Sequence, residues 1–207
     1  MKVAVLCNTG IGDAREENEA SYVEISSYYK SQGHEIINEF EFYNPLSPET
    51  ANKVLDADIV AVGRGCENNS VLASVVNKAS AMGKKIERFC PTKEELVTSI
   101  LYATSISAED FFGCKRKRIN VLAREVYSKL RRESGLSLAN IGGEINKKHC
   151  SVVWMLKNHD IDYINYPAYR NVYDSVLKFL RNENLLGSFC AEMERQTRKL
   201  TQKKKRV

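Results

Sequence analysis

The chain of 207 residues lacks any apolar run of about 18 residues, so no segment reads as a transmembrane helix. It lacks a C-x-x-C pair. Its cysteines, Cys7, Cys66, Cys90, Cys114, Cys150 and Cys190, are scattered, which argues against a structural zinc site, since such sites draw on closely spaced ligands. It has no G-x-x-x-x-G-K-[ST] and no G-x-G-x-x-G, so neither a P-loop nor a dinucleotide fingerprint is present. No metal and no cofactor are implied. The apolar opening Met1–Cys7 turns polar at Asn8 and is too short for a secretory signal. A cytoplasmic, nucleoid-associated protein with reduced thiols and no membrane partner is the expectation.

What is present is ordinary for a globular protein: 43% hydrophobic and 28% charged residues. The net charge of +5 hides a split. Residues 1–90 hold 9 Lys/Arg against 13 Asp/Glu, and residues 91–207 hold 22 against 13. An acidic half followed by a basic half predicts two domains, the second facing a polyanion.

The first half alternates strand and helix. Lys2–Cys7, His34–Asn38, Asp58–Gly63 and Lys84–Phe89 read as strands. The run Ile59-Val60-Ala61-Val62 has the continuous apolar character of a parallel strand buried on both faces. Helices are expected over Asn18–Gln32, from Pro48 to about Ala57, and over Ser70–Met82. A closing helix over Lys93–Thr104 completes a β-α-β-α-β-α-β order, hence a small doubly wound parallel sheet. The fold class expected is α/β then all-α. The domains are 1–105, a linker at 106–114, a helix-turn-helix domain at 115–194 and a basic tail at 195–207 that reads as frayed.

In the second half Ile119, Leu122, Ala123, Val126 and Leu130 mark an amphipathic helix, and Gly135 breaks it. Ser137 caps a short helix to about Ile145, Asn146-Lys147 turns, and a helix follows over roughly Lys148–His159. A last amphipathic helix runs from Tyr169 to Leu180. Leu138, Ile141, Ile145, Val152 and Leu156 can pack the two central helices together. Helix, short turn, helix is the geometry that lays a second helix into the DNA major groove. Its N-terminal end presents Lys148, His149, Cys150 and Ser151, where free backbone amides favour phosphate.

The stretch Leu136-Ser137-Leu138, Ile141-Gly142, His149, Ser151-Val152 resembles the C-terminal DNA-binding domain of the bacterial replication initiator DnaA, over about Lys115 to Leu156. The resemblance implies double-stranded DNA as partner. It places DNA contacts at Lys147, Lys148, His149, Cys150 and Ser151, at Arg131 near the end of the preceding helix, and at Lys115 or Arg116 near its start. The family's Asp is Lys148 here and one Thr is Cys150, so the origin-box preference is not expected to carry over.

In the first half, Thr9-Gly10, Asn18, Gly33-His34-Glu35-Ile36-Ile37-Asn38, Ala57-Asp58-Ile59-Val60 and Ala79 to Lys84 resemble, in order, the nucleoside 2-deoxyribosyltransferase-like superfamily. Loops at the carboxyl ends of strands form the ligand crevice of open α/β sheets. Thr9, Gly10, Gly12 and Asp13 would form one wall, and Arg64, Asn69 and Ser70 the other. The resemblance implies a nucleotide or nucleoside ligand. The family's carboxylate nucleophile falls at Val75, and no acid lies between Ser70 and Gly83. Glu67, in the preceding loop, is the nearest candidate. The expected function is a DNA-binding regulator of transcription or replication. Its α/β domain would bind a nucleotide-like ligand without turnover or mediate homodimerisation. An N-glycosyl hydrolase or transferase carrying a DNA-binding domain, and a protein-interaction module, are the alternatives.

Overall fold

The computed structural model describes residues 1–8, 13–40, 48–66, 69–181 and 186–204, without the side chains at 13–14, 48–50, 187–188 and 203–204. The chain divides into two compact units, Met1–Cys90 and Pro91–Val207.

The first unit runs β1 (Lys2–Leu6), α1 (Asp13–Ser31), β2 (Glu35–Ile36), α2 (Pro48–Asp56), β3 (Ile59–Val62), α3 (Ser70–Ala81) and β4 (Lys85–Arg88). The strands are all parallel, in the order β2-β1-β3-β4. Val3 to Leu6 lie opposite Ile59 to Val62, and both strands are buried on both faces, as their unbroken apolar runs require. Ala4, Leu6, Val60 and Val62 pack with Val54 of α2 and with Leu72, Val76 and Ala79 of α3. On the opposite face Cys7 meets Ser21 of α1.

Two elements of this unit differ from the sequence reading. The helix α1 starts at Asp13, although a loop was expected as far as Glu17. The second strand is only Glu35–Ile36. It ends early because Asn38 continues the pairing with its side chain. Its Oδ1 accepts the Val5 N–H at 2.8 Å and its Nδ2 donates to the Val5 carbonyl at 2.8 Å.

The second unit is helical: α4 (Lys93–Thr104), α5 (Ala108–Phe112), α6 (Arg118–Glu133), α7 (Leu138–Glu144), α8 (His149–Asn165), α9 (Pro167–Arg181) and α10 (Gly187–Lys204). A capping box opens α4: Thr92 accepts the Glu95 N–H at 3.3 Å, and the Glu95 carboxylate accepts the Thr92 N–H at 2.7 Å. This helix was expected to close the α/β domain. Instead it buries Leu96, Ser99 and Ile100 and packs against α6 and α9, so the division falls at Cys90/Pro91 and not after 105. The expected linker at 106–114 contains α5, which buries Phe111 against Tyr127 of α6.

The C-terminal end differs too. The tail from 195 was expected to fray, yet α10 continues to Lys204. Cys190, Met193 and Thr197 are buried along it, and Arg181 pairs with Glu194 at 2.5 Å, tying it to α9. Among the described residues no helix is long and apolar enough to cross a membrane.

Candidate functional site

The strongest candidate lies in the helical unit, where α7 passes into α8. Ser137 caps α7 by accepting the Asn140 N–H at 3.2 Å. Leu136, Ile141 and Val152 are buried together with Leu138 and Leu156 packed against them, and Ile145 is fully buried. Apart from Leu136, these are the side chains expected from the sequence to pack the two helices.

The turn from Ile145 to Lys148 is tight. Asn146 takes a left-handed φ of 54°, a region that asparagine tolerates better than most residues. The Lys147 N–H donates to the Gly142 carbonyl at 2.8 Å. Gly142 must be glycine, because a Cβ there would stand 2.5 Å from the Lys147 carbonyl oxygen. The turn delivers Lys148 as the N-cap of a 17-residue helix, with no side-chain cap on its free amides. Lys148, His149 and Cys150 are exposed and Ser151 is half-buried. The head of α8 therefore combines unsatisfied N–H groups with a positive side chain, the chemistry that suits phosphate oxygens.

A second basic stretch is held beside this head. The buried Arg124 guanidinium donates to the carbonyls of Phe111, Asp110, Gly113 and Lys115 at 2.7 to 3.0 Å. Burial lowers its affinity for the proton. The Gly113 carbonyl also accepts from the Lys147 ammonium at 2.9 Å. Further along, Arg118 pairs with Asp162 of α8 at 3.1 Å and lies over the Tyr166 ring at 4.7 Å. The segment 113–118 is thus pinned at one end to the turn and at the other to α8. Between the pins Lys115, Arg116 and Lys117 are exposed. Lys115 pairs with Asp110 at 2.7 Å, and that carboxylate raises its pKa.

Two of the expected DNA contacts hold structural positions instead. Arg131 is 1% exposed. Its Nε and Nη2 donate to the two Glu144 carboxylate oxygens at 3.0 and 2.6 Å, and its Nη1 donates to the Pro91 carbonyl at 3.2 Å. A guanidinium enclosed in this way does not reach a polyanion. Lys147 is half-buried, with its ammonium on Gly113. Lys117, exposed at the start of α6, was not among the expected contacts; the run Lys115-Arg116-Lys117 was the signal for it.

The other candidate lies in the α/β unit. β1 and β3 are central neighbours whose chains continue to opposite edges of the sheet, so the crevice at their carboxyl ends is the topological switch point. Thr9, Gly10, Gly12 and Glu67 lie outside the described residues, as does the Asp13 side chain. Of the remaining expected wall, Arg64 pairs with Glu17 of α1. Asn69 caps α3, its Oδ1 accepting the N–H groups of Val71 and Leu72 at 3.0 and 3.2 Å. Its Nδ2 donates to Asn8 Oδ1 at 3.5 Å. Ser70 is exposed at the start of α3.

The sequence reading had not placed Asn8 and Asn18 at this site. Gly65 takes φ +73°, and a Cβ there would lie 2.9 Å from Asn8 Cβ and 3.1 Å from Asn18 Nδ2. Asn18 is 1% exposed, and its Oδ1 has no hydrogen-bond partner among the described residues. Three asparagines and a glycine therefore meet at the switch point, an arrangement that offers a ligand both donors and acceptors.

No family model, curated protein or solved structure matches the chain. The functional reading therefore rests on the geometry of these two places. At neither one do the described side chains assemble a nucleophile with an adjacent base.

Proposed function

We propose that this chain is a DNA-binding regulator that reads duplex DNA with α7 and α8 as a helix-turn-helix, α8 being the recognition helix. The observation that carries the reading is the head of α8. Lys148 and His149 stand exposed over unsatisfied helix amides, and the fixed segment bearing Arg116 and Lys117 lies alongside. Phosphate contacts from the flanking segment would set the register, while His149, Cys150 and Ser151 would meet base edges. The excess of basic residues after residue 90 supports the same partner. The DnaA-like resemblance of 115–156 agrees with it.

The α/β unit is proposed to be the sensing or dimerising part. Its asparagine-lined switch point would bind a nucleotide-like ligand without turnover. No carboxylate lies on α3, where the deoxyribosyltransferase-like resemblance would put the nucleophile.

Fluorescence anisotropy of the full chain with labelled random-sequence duplexes tests the reading. Binding is expected at low salt. Its affinity should fall with salt at a slope of roughly −0.9 per phosphate contact. Lys148→Ala with His149→Ala should weaken it at least tenfold without unfolding the protein. Absence of binding at low salt would remove the reading.

A further inference from the structure

The chain holds a single tryptophan, and it stands in solvent. Trp154 is 52% exposed, on α8, one turn beyond Cys150. Four residues of this helix, Val152, Met155, His159 and Tyr163, are buried at spacings of three and four. Cys150, Trp154, Lys157 and Ile161 recur at the same spacings on the outer side, and all four are exposed. About half of this large aromatic residue, at the middle of an outward stripe, is left uncovered by its own unit, and a partner would bury the rest.

Charge identifies that partner. From Ile145 to His159 the chain has no acid, the first on α8 being Asp160, while Lys148 and Lys157 stand exposed. Lys115, Arg116 and Lys117 run beside the same helix. An apolar protein partner would gain little from so many neighbouring cations, whereas a polyanion with apolar groups in its groove fits both features. In the major groove those groups are the 5-methyl groups of thymine. Along a helix rising 1.5 Å per residue, Trp154 lies about 6 Å beyond Cys150. It therefore falls within reach of the groove floor when His149, Cys150 and Ser151 at the head of α8 meet base edges.

We propose that Trp154 is a specificity-determining residue that packs against thymine methyl groups in the major groove. It would give the protein a preference for T-containing sites that Lys148 and His149 alone do not supply. The proposal rests on the DNA-reading role of α8.

The test uses the whole 207-residue chain and two probes, a random duplex pool of about 20 base pairs and the same pool with every thymidine replaced by deoxyuridine, which lacks the methyl group. The tryptophan emission should shift or quench on adding the thymine pool. Wild type should bind the thymine pool about three- to tenfold more tightly than the uracil pool. Trp154→Ala should bind both pools equally and weakly, and Trp154→Phe should keep part of the preference. Unchanged emission together with unchanged affinity for Trp154→Ala would overturn the role of Trp154 while leaving DNA binding intact. Binding of neither pool by wild type would overturn this proposal and the reading it rests on together. A change in sedimentation of DNA-free protein on Trp154→Ala would instead assign the stripe to a second copy of the chain, and would equally overturn it.

Discussion

Arg131 and Glu144 are joined by two parallel hydrogen bonds, Nε to Oε2 at 3.0 Å and Nη2 to Oε1 at 2.6 Å. The guanidinium is almost completely buried. This pair fastens the C-terminal turn of α6 to the end of α7, just before the turn that delivers α8. Tyr127 donates to the same Glu144 oxygen at 2.8 Å. The α7–α8 turn is therefore held by a buried fork and not only by apolar packing.

Removing one partner of such a pair leaves a buried charge uncompensated. Glu144→Ala is expected to destabilise the helical unit by about 3–5 kcal/mol. Arg131→Met should cost less, because the charge it leaves behind, Glu144, is the partly exposed partner and keeps the Tyr127 hydroxyl as a donor. Denaturant melts of the two variants check the order. At temperatures where Arg131→Met stays folded, its salt slope for DNA should equal that of wild type, since Arg131 has no access to phosphate.

Glu125 makes the stability of this unit depend on pH. Its carboxyl is fully buried on α6, and among the described residues its near polar neighbour is another carboxyl, Asp162, which shares its proton and supplies no donor of its own when ionised. It faces Asp162 of α8, Arg118 of its own helix and Tyr169 of α9. Burial raises its pKa to about 7, Asp162 adds to the rise, and Arg118 opposes it. Between the ordinary carboxylate pKa and about 7 the folded chain holds more protons than the unfolded one. The resulting stabilisation is complete below the ordinary value and is lost as pH rises through 7, on the order of 3 kcal/mol. His159 acts at the other end of the range. Buried and hydrogen-bonded to Tyr169 at 2.7 Å, it has a pKa lowered to about 3, so its contribution is lost as pH falls from 6.5 towards 3. Stability should peak near pH 5–6. Glu125→Gln should remove the loss between about pH 4.5 and 7, so that in denaturant titrations stability climbs with pH up to about 6.5 through His159 alone; an unchanged profile would place the titrating group elsewhere.

Gly142→Ala tests the turn itself. The new methyl would meet the Lys147 carbonyl oxygen at 2.5 Å and the His149 nitrogen at 3.4 Å. The loop must move to admit it, at about 1–3 kcal/mol. Gly143→Ala, where a Cβ meets nothing within 4 Å, should be neutral or slightly stabilising. Thermal melts of the two variants should therefore move in opposite directions or differ by several degrees.

The parts legible in the sequence were those whose partners lie close along the chain or whose pattern is unbroken. The apolar runs of β1 and β3 announced a parallel sheet, and Ile141, Val152 and Leu156 announced the α7–α8 packing. The parts that were not legible depend on distant partners. Arg131 looks like any basic residue at a helix end until Glu144 is brought against it across the α6–α7 connection. The apolar face of α4 suits a sheet as well as a bundle, and only packing on α6 and α9 decides. The helix α10 is mostly polar, and its order follows from burying Cys190, Met193 and Thr197. The asparagines at the switch point are ordinary polar residues in sequence, and become a site through the pairing of β1 with β3 and the close approach of Gly65.

Whether α8 reads duplex DNA is decided by selecting duplexes from a random pool with the whole 207-residue chain. Wild type should enrich a common, thymine-containing sequence, and Lys148→Ala with His149→Ala should lose the enrichment while remaining folded. Recovery of no duplex at low salt, or an enriched sequence that the double variant selects equally well, would contradict that role of α8.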